Sequence, residues 1–382
     1  MDPLCFSTPI RSDEMEALRQ DVRAFLEEEL AHRSPIERAR SWNGADPGFS
    51  RRLGARGWIG MTWPKRYGGA ERSALERYVV IEELLAAGAP VAAHWFADRQ
   101  SGPTLQRFGT ERQCLEILPR IARGECYFCV GLSEPDVGSD LAAVKTRAER
   151  VEGGYRISGT KLWTTNAHLA HYMTLLARTA PASRERHAGL SQFLVDLSTP
   201  GIGIRPIYVP SGEHHFNEVT FDEVFVPSEA LLGTEGDGWK QVMSELALER
   251  SGPDRFLSSF TLFAELVRVC ESRPSERAAL AIGRLASHLI ILRRMSGAVA
   301  GALQSGLDPA LQAAMVKDAG AIFEQEIPEI ARGLIGPGDV DGADASYAAV
   351  LAYTILHAPS FSLRGGTREI LRGIIARGLG LR

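Results

Sequence analysis

The spacing of apolar residues changes twice along the chain, and this limits the folds that the sequence can adopt. Before about residue 125, apolar residues such as Val22, Phe25 and Leu26 recur at the spacing of an amphipathic helix. Between about residues 125 and 235, short apolar runs are bounded by glycine, proline and asparagine, which is typical of strands and turns. Near Gly236 the helical spacing returns. The order α, β, α predicts a mainly helical protein with a central β region.

These changes predict three domains: an N-terminal α-helical domain over residues 1–124, a middle β domain over 125–235 and a C-terminal α-helical bundle over 236–382. Capping boxes predict helix starts at Ser73 and Thr110, and the last helix is predicted to begin at Thr367. The middle domain is expected to be antiparallel, with strands at 126–132, 155–158, 171–177, 191–197, 202–208 and 218–225.

The charge balance argues against nucleic acid as a partner. Only five of the 43 basic residues are lysines, and 47 acidic residues leave a formal net charge of -4. A chain without a basic field does not attract a polyanion of that size. No uncharged apolar stretch approaches the roughly 20 residues that span a bilayer, so no membrane segment is expected.

The cysteines predict a reducing compartment. Five cysteines without a recognisable signal peptide favour the cytoplasm over a disulfide framework. Cys126 and Cys129 form a C-x-x-C pair inside an apolar run, but zinc requires four ligands and the sequence has no second pair. We therefore predict no metal site.

Glu249 is the first candidate for chemistry. It follows Trp239, Val242 and Leu246 at helical spacing, which places a carboxylate on the apolar face of a predicted helix. Such a carboxylate must be paired, neutralised or used in a reaction. From spacing alone, an ion pair with an arginine and a catalytic role both remain open.

Three further segments could hold a ligand. The turn at 132–140 combines glycine with two serines, and the segment 159–166 contains Trp163 beside two threonines. Gly365 and Gly366 precede the predicted cap Thr367, where another group could approach the helix amides. For each segment, an ordinary turn or a structural tryptophan is the alternative.

Taken in this order and at these distances, the segments resemble the signatures of the acyl-CoA dehydrogenase family over nearly the whole chain. The matching stretches are 108–111 with Leu118, Pro119 and Gly124, then 133–140, 159–166, 221–227 and 365–370. The resemblance implies the family fold: an α-helical domain, a β-barrel-like middle domain and a C-terminal four-helix bundle.

The resemblance also implies FAD as cofactor, bound between the β domain and the C-terminal helices. The implied FAD contacts are Val130, Leu132, Ser133, Gly138, Ser139, Trp163, Thr165, Thr367 and Glu369. The implied contacts to the acyl-CoA substrate are Ser139, Leu246, Arg250 and Gly366.

The reaction implied is α,β-dehydrogenation of an acyl-CoA thioester. Most family members carry the base just before the Gly-Thr of the last motif, where this chain has Gly365, preceded by Arg364 instead of tyrosine. Some members carry the base on the earlier helix as the glutamate of a Glu-Arg pair, and Glu249-Arg250 matches that position. By resemblance, Glu249 removes the α proton and the Gly365 amide contributes to an oxyanion site.

The family resemblance implies an electron-transfer flavoprotein as acceptor and an oligomer as the working form. The segment 270–280 lacks the family's usual motif for contacting the FAD of a neighbouring subunit. This predicts a heteromer with a second dehydrogenase-like subunit, with a homodimer or homotetramer as the alternative. Two other functions remain open on the same fold: a non-catalytic or half-site partner subunit, and an acyl-CoA oxidase or flavin monooxygenase.

Overall fold

The computed structural model describes residues 6–7, 12–181, 185–249, 252–335 and 344–381, without the side chains of 246–249. The chain forms two compact units, each assembled from separate segments. One unit comprises Met1–Ala45, Arg72–Val91 and Glu249–Arg382, and we call it the helical unit. The other comprises Asp46–Glu71 and Ala92–Leu248, and we call it the sheet unit.

The sheet unit is built around one eight-stranded sheet. Its strands are β1 (Phe128–Gly131), β2 (Arg147–Val151), β3 (Gly154–Thr165), β4 (Tyr172–Arg178), β5 (Leu190–Asp196), β6 (Ile202–Tyr208), β7 (His214–Pro227) and β8 (Leu231–Leu232). The strand order is β6-β7-β3-β2-β4-β5-β8, and β1 pairs in parallel with β4. Most of the other pairings are antiparallel, as the sequence predicts.

Alternation along the long strands builds the core of this sheet. Tyr155 and Ile157 of β3 and Val219 and Phe221 of β7 are buried, and all four pack in one cluster with Phe193 of β5. Because alternate residues of a strand face opposite sides, each strand contributes one apolar face to this cluster.

Helices complete the sheet unit: α3 (Pro47–Ala55), α5 (Ala92–Phe96), α6 (Gly102–Phe108), α7 (Glu111–Ala122) and α8 (Gly238–Glu249). A π-helical turn, Ala97–Ser101, joins α5 to α6, and all five of its residues are buried. Thr110 caps α7 in the predicted capping box with Gln113. In α8, Val242 is buried as the sequence predicts.

The helical unit contains α1 (Asp13–Leu30), α2 (Pro35–Arg40), α4 (Ala74–Ala86), α9 (Phe260–Ser272), α10 (Glu276–Gln304), α11 (Ala310–Leu334), α12 (Ala345–Phe361) and α13 (Arg368–Gly378). Ser73 caps α4 with Glu76, as predicted. Thr367 occupies the N-cap position of α13, as predicted.

The predicted strand 202–208 is confirmed, but other strand limits differ. β3 and β7 run far beyond 155–158 and 218–225, since their ends carry polar residues that break the apolar alternation. Strands β2 and β8 and several helices, among them α3 and α9, are not predicted by the apolar spacing. In the described part of the chain, no helix is long and apolar enough to cross a membrane. The division into three domains stays a prediction.

Candidate active site

A buried ion pair joins two of the signature segments. Lys161 of β3 is fully buried, and its Nζ lies 2.9 Å from Oε1 of Glu134 and donates to the Leu132 carbonyl at 3.0 Å. The Glu134 carboxylate also accepts hydrogen bonds from the amides of Lys145 and Thr146 at 2.7 and 2.9 Å. One side chain from the segment 159–166 therefore holds the Leu132 carbonyl and the Glu134 carboxylate at the start of the turn 132–140.

The electrostatics of this pair are consistent with two charged partners. Burial lowers the pKa of Lys161 to about 8, against the raising effect of Glu134, so the ammonium is still protonated at neutral pH. Burial acts to raise the pKa of Glu134, but the Lys161 charge and the hydrogen bonds hold it below its ordinary value. The carboxylate is ionised and can accept all of its donors.

The loop that this pair anchors contains four of the nine predicted FAD contacts, and a fifth lies in the strand before it. Val130 lies in β1, and Leu132 and Ser133 are half-buried directly after it. The Leu162 amide donates to the Ser133 carbonyl at 2.9 Å, which places Ser133 beside β3. Gly138 and Ser139 are exposed beyond a turn in which the backbones of Glu134 and Val137 bond to each other.

Trp163 lies at an irregularity of β3. The register of β3 against β7 shifts between Lys161 and Thr164, and Trp163 has a φ of 60°. A bulge of this kind redirects a side chain from the regular alternation. The Trp163 ring is 54% exposed and contacts only the edge of Phe216 among the described aromatic rings. This exposure argues against the alternative of a structural tryptophan. Thr165 lies two residues further on and is half-buried.

The helical unit carries the remaining predicted contacts on one turn. Gly365 and Gly366 have φ values of 68° and 100°, which glycine adopts without a steric penalty. Thr367 does not cap α13 by accepting from an amide. The Glu369 carboxylate bonds to its own amide and to the Thr367 side chain, which lowers its pKa.

Arg364, which replaces the family's usual tyrosine, anchors this turn. Its Nη2 lies 2.8 Å from Glu324 of α11 and donates to the Ser258 hydroxyl and the Asp254 carbonyl. Its guanidinium also lies over the rings of Trp42 and Phe361. The substitution therefore has a structural role in the helical unit.

Several candidate residues lie outside the described part of the chain. Glu249 is the last residue of α8, but neither its side chain nor that of Leu246 is described. Arg250 lies outside the described residues altogether. Helical spacing places position 249 on the same face as Val242 and the buried Glu245.

Sequence reasoning missed the buried charges near the glycine turn. Asp254 and Arg255 form a buried ion pair with Nε and Oδ2 2.9 Å apart, in a short 3-10 turn. Lys317 and Glu324 of α11 are also fully buried. The only available signal is two adjacent charges just after Gly252-Pro253, a pattern that an exposed loop would also show.

Comparison with known proteins identifies the family. Residues 12–125 match the model of the acyl-CoA dehydrogenase N-terminal domain, and 129–224 match that of the acyl-CoA dehydrogenase middle domain. The chain is 35% identical over 390 residues to the acyl-CoA dehydrogenase IpdE1 of Mycobacterium tuberculosis, covering 96% of this chain and 98% of that one.

Solved structures of the same family are similar to this chain over all or nearly all of its length. The structure titled "Tcur3481-Tcur3483 steroid ACAD" has a TM-score of 0.87 and 27% identity, with 100% of both chains covered. The ChsE4-ChsE5 complex from Mycobacterium tuberculosis has a TM-score of 0.85 and 27% identity, covering 98% of this chain and 100% of that one.

Helices precede and follow a central run of strands along the chain, and residues 12–125 and 129–224 match the two family models. Together these features define an oxidoreductase of acyl-CoA metabolism. The chain belongs to the acyl-CoA dehydrogenase family, whose members are flavoproteins, and its cofactor is FAD.

The described residues fit a flavin. Trp163 presents an aromatic ring that the fold leaves 54% exposed, and the amide of its neighbour Leu162 bonds to the half-buried Ser133. The glycine turn before α13 leaves the first amides of an eleven-residue helix without a capping side chain from Thr367, which suits a phosphate group.

Trp163→Ala should separate cofactor binding from folding. Because Trp163 is 54% exposed, we expect little change in the free energy of unfolding of the apoprotein. Loss of an aromatic contact of about 1 kcal/mol should weaken FAD binding roughly five- to tenfold. The measurement is a titration of apoprotein with FAD, followed by flavin fluorescence.

Phe225→Ala provides the matched control, because Phe225 is an exposed aromatic residue of β7, 50% accessible, that we do not assign to FAD. It should leave FAD binding unchanged. Equal FAD affinities for the wild type and Trp163→Ala would show that Trp163 does not contribute to FAD binding.

Proposed function

We propose that the chain catalyses α,β-dehydrogenation of an acyl-CoA thioester, with Glu249 as the base. The observation that supports this most is the environment of Gly365. A Cβ added there would lie 3.2 Å from Nη1 of Arg255, on a backbone with a φ of 68°. A side chain at 365 is therefore disfavoured, and a carboxylate there would lie against a buried cation. The base must then come from another position, and Glu249 is the candidate that the sequence offers.

The proposed roles of the other residues follow their positions. The residues that would contact FAD are Val130, Leu132, Ser133, Gly138, Ser139, Trp163, Thr165, Thr367 and Glu369. The substrate contacts would be Ser139, Leu246, Arg250 and Gly366. FAD supplies the acceptor for the β hydride. Glu249 takes the α proton, and the turn at Gly365 receives the thioester oxygen as negative charge develops on it.

We propose a ring-bearing acyl-CoA as the substrate class. The support is the similarity to the Tcur3481-Tcur3483 protein, a steroid acyl-CoA dehydrogenase that is 27% identical over the whole chain. The test compares straight-chain, branched and ring-bearing acyl-CoAs with an electron-accepting dye. Preference for short straight chains would contradict the proposed substrate class, and turnover with none of these acyl-CoAs would contradict the proposed function.

The proposed electron acceptor is an electron-transfer flavoprotein. Comparing turnover with this acceptor and with oxygen tests the proposal and separates a dehydrogenase from an oxidase.

We further propose that the working form is a heteromer with a second dehydrogenase-like subunit. The similar structures are named as pairs of gene products or as a complex. In a homo-oligomer, Arg273 and Arg277 of the segment 270–280 would be candidates for substituted FAD contacts. Both bond within this chain, Arg273 to Asp344 at 2.9 Å and Arg277 to the Gly333 carbonyl at 2.8 Å.

Co-expression tests the heteromer. The chain expressed alone should bind less than one FAD per subunit, and co-expression with a dehydrogenase-like partner should raise FAD content and the native mass together. Full FAD occupancy in a stable homo-oligomer would contradict the heteromer.

We also expect the cytoplasm as the location and three domains divided near residues 124 and 235.

A further inference from the structure

A buried arginine lies directly behind the glycine turn. The Arg255 side chain is 0% exposed, and its guanidinium lies 3.2 to 3.4 Å from the position of a Cβ on Gly365. The backbone of α11 approaches the same residue closely, because a Cβ on Gly320 would lie 2.2 Å from the Arg255 carbonyl oxygen. Two glycines thus allow the chain to pack tightly around one cation.

Four further charged groups lie near Arg255 in the described part of the chain. Asp254 pairs with it, and Glu324 of α11 pairs with Arg364 at 2.8 Å. The fifth charged group is Lys317 of α11, whose Nζ donates to the Phe361 carbonyl at 2.5 Å. These five groups carry three potential positive charges and two negative ones. Burial and the neighbouring Arg255 and Arg364 lower the pKa of Lys317 to about 7, so this ammonium is the group that yields its proton first.

We propose that Arg255 is a positioning residue of the acyl-CoA site, which supports the Gly365–Gly366 turn and supplies buried positive charge behind the place that receives the thioester oxygen. This inference rests on the proposed function. It deepens that function by assigning a role to a residue outside the recognisable motifs.

The physical basis is the weak screening of a buried charge. A guanidinium in water contributes little at several ångströms, but a buried one acts through a lower effective dielectric. When the α carbon loses its proton to the base, negative charge spreads onto the thioester oxygen. A fixed cation behind the turn stabilises that charge without having to reorganise. The same cation explains why a carboxylate is absent at 365, because it would pair with Arg255 and lose basicity.

If Arg255 had only a structural role, removing its charge would not change the stabilisation of the enolate as long as the turn stayed in place. Arg364 already ties the turn to α11 through Glu324 and to the segment around Asp254. Arg255 pairs with the Asp254 side chain, whereas Arg364 donates to the Asp254 backbone carbonyl. The two arginines therefore contact this segment through different atoms.

The experiment uses FAD-loaded protein, purified with its partner subunit if one is required. The probe is acetoacetyl-CoA, whose α proton lies between two carbonyls and ionises to an enolate without oxidation. Spectrophotometric pH titration of the bound probe measures how strongly the site stabilises the enolate. The variants are Arg255→Lys, which keeps the charge, and Asp254→Asn/Arg255→Gln, which removes both charges and leaves neither buried ion alone.

We expect the wild type to make the bound α proton at least tenfold more acidic than in free acetoacetyl-CoA. Arg255→Lys should keep most of this effect, whereas Asp254→Asn/Arg255→Gln should lose about tenfold in acidity and in kcat, with KM changed less than threefold. Thermal unfolding and FAD content report separately on the fold.

Three outcomes would overturn the proposal. The first is a double variant that titrates the bound probe as the wild type does. The second is a large loss in Arg255→Lys despite normal FAD content, which would assign the role to guanidinium shape. The third is a wild type that dehydrogenates an acyl-CoA without increasing the acidity of the probe. If the wild type shows neither effect, the proposed function itself fails.

Discussion

Glu249→Gln is expected to lower turnover by about a thousandfold or more while FAD remains bound. General-base catalysis typically contributes about 10² to 10⁴ in rate, and a glutamine of nearly the same size cannot accept the α proton. Because the substitution preserves volume and removes only the charge, KM and thermal stability should change little. The measurement is steady-state turnover with an electron-accepting dye, together with the flavin absorbance of the purified protein.

Glu245→Gln is the matched control on the same helix. Glu245 lies one turn before position 249 and is buried, accepting hydrogen bonds from the Thr104 hydroxyl at 2.7 Å and from the Gln192 amide at 3.2 Å. This carboxylate has structural partners, so the variant should keep its turnover within about threefold. If Glu249→Gln still turns over like Glu245→Gln, the residue is not the base. Comparably low rates for the wild type and Glu249→Gln would favour a non-catalytic partner subunit.

Lys161→Met should cause the largest loss of stability of any change considered. Removing one member of a buried ion pair leaves the other as an unpaired buried charge, which typically costs about 3–5 kcal/mol. Here Glu134 would keep its amide donors from Lys145 and Thr146 but lose the buried ammonium of Lys161 that pairs with it. The Leu132 carbonyl would also lose a donor, so FAD affinity should fall with the free energy of unfolding. Urea unfolding and FAD titration of the same protein measure the two effects.

Two controls separate charge from position in this experiment. Lys145→Ala breaks the ion pair between Lys145 and Asp136, whose side chains are 69% and 72% exposed. Because water screens such a pair, the free energy of unfolding should change little. Glu134→Gln/Lys161→Met removes both buried charges and should recover part of the loss. A Lys161→Met protein as stable as Lys145→Ala would show that the ion pair contributes little.

The overall architecture was predictable because it depends on periodicity. The helical spacing around α1 and α10 and the β pattern of β6 are local properties of the sequence, and the structure confirms them. Strand limits were less predictable. The first half of β7 starts with two histidines and an asparagine, which pair with neighbouring strands for reasons that no local pattern expresses.

The site residues were predictable only where the residue types in a segment matched the family's signatures. Segment resemblance indicated Trp163, but its exposure depends on a bulge against β7 that the sequence does not reveal. The partners of Arg364 lie on segments far from it in sequence, and Arg255 reaches Gly365 across more than a hundred residues. Such pairings follow from the packing of helices, which composition and spacing do not determine.

The exposure of Trp163 makes it an intrinsic fluorescence probe of cofactor binding. Trp163 is the most accessible of the six tryptophans, all of which lie in the described part of the chain. Its emission should dominate the long-wavelength side of the apoprotein spectrum, because an indole in water emits further to the red than a buried one. A flavin bound against it would quench that part selectively. The shape of the tryptophan spectrum should then report the fraction of chains that carry cofactor, in a crude preparation and without an added dye.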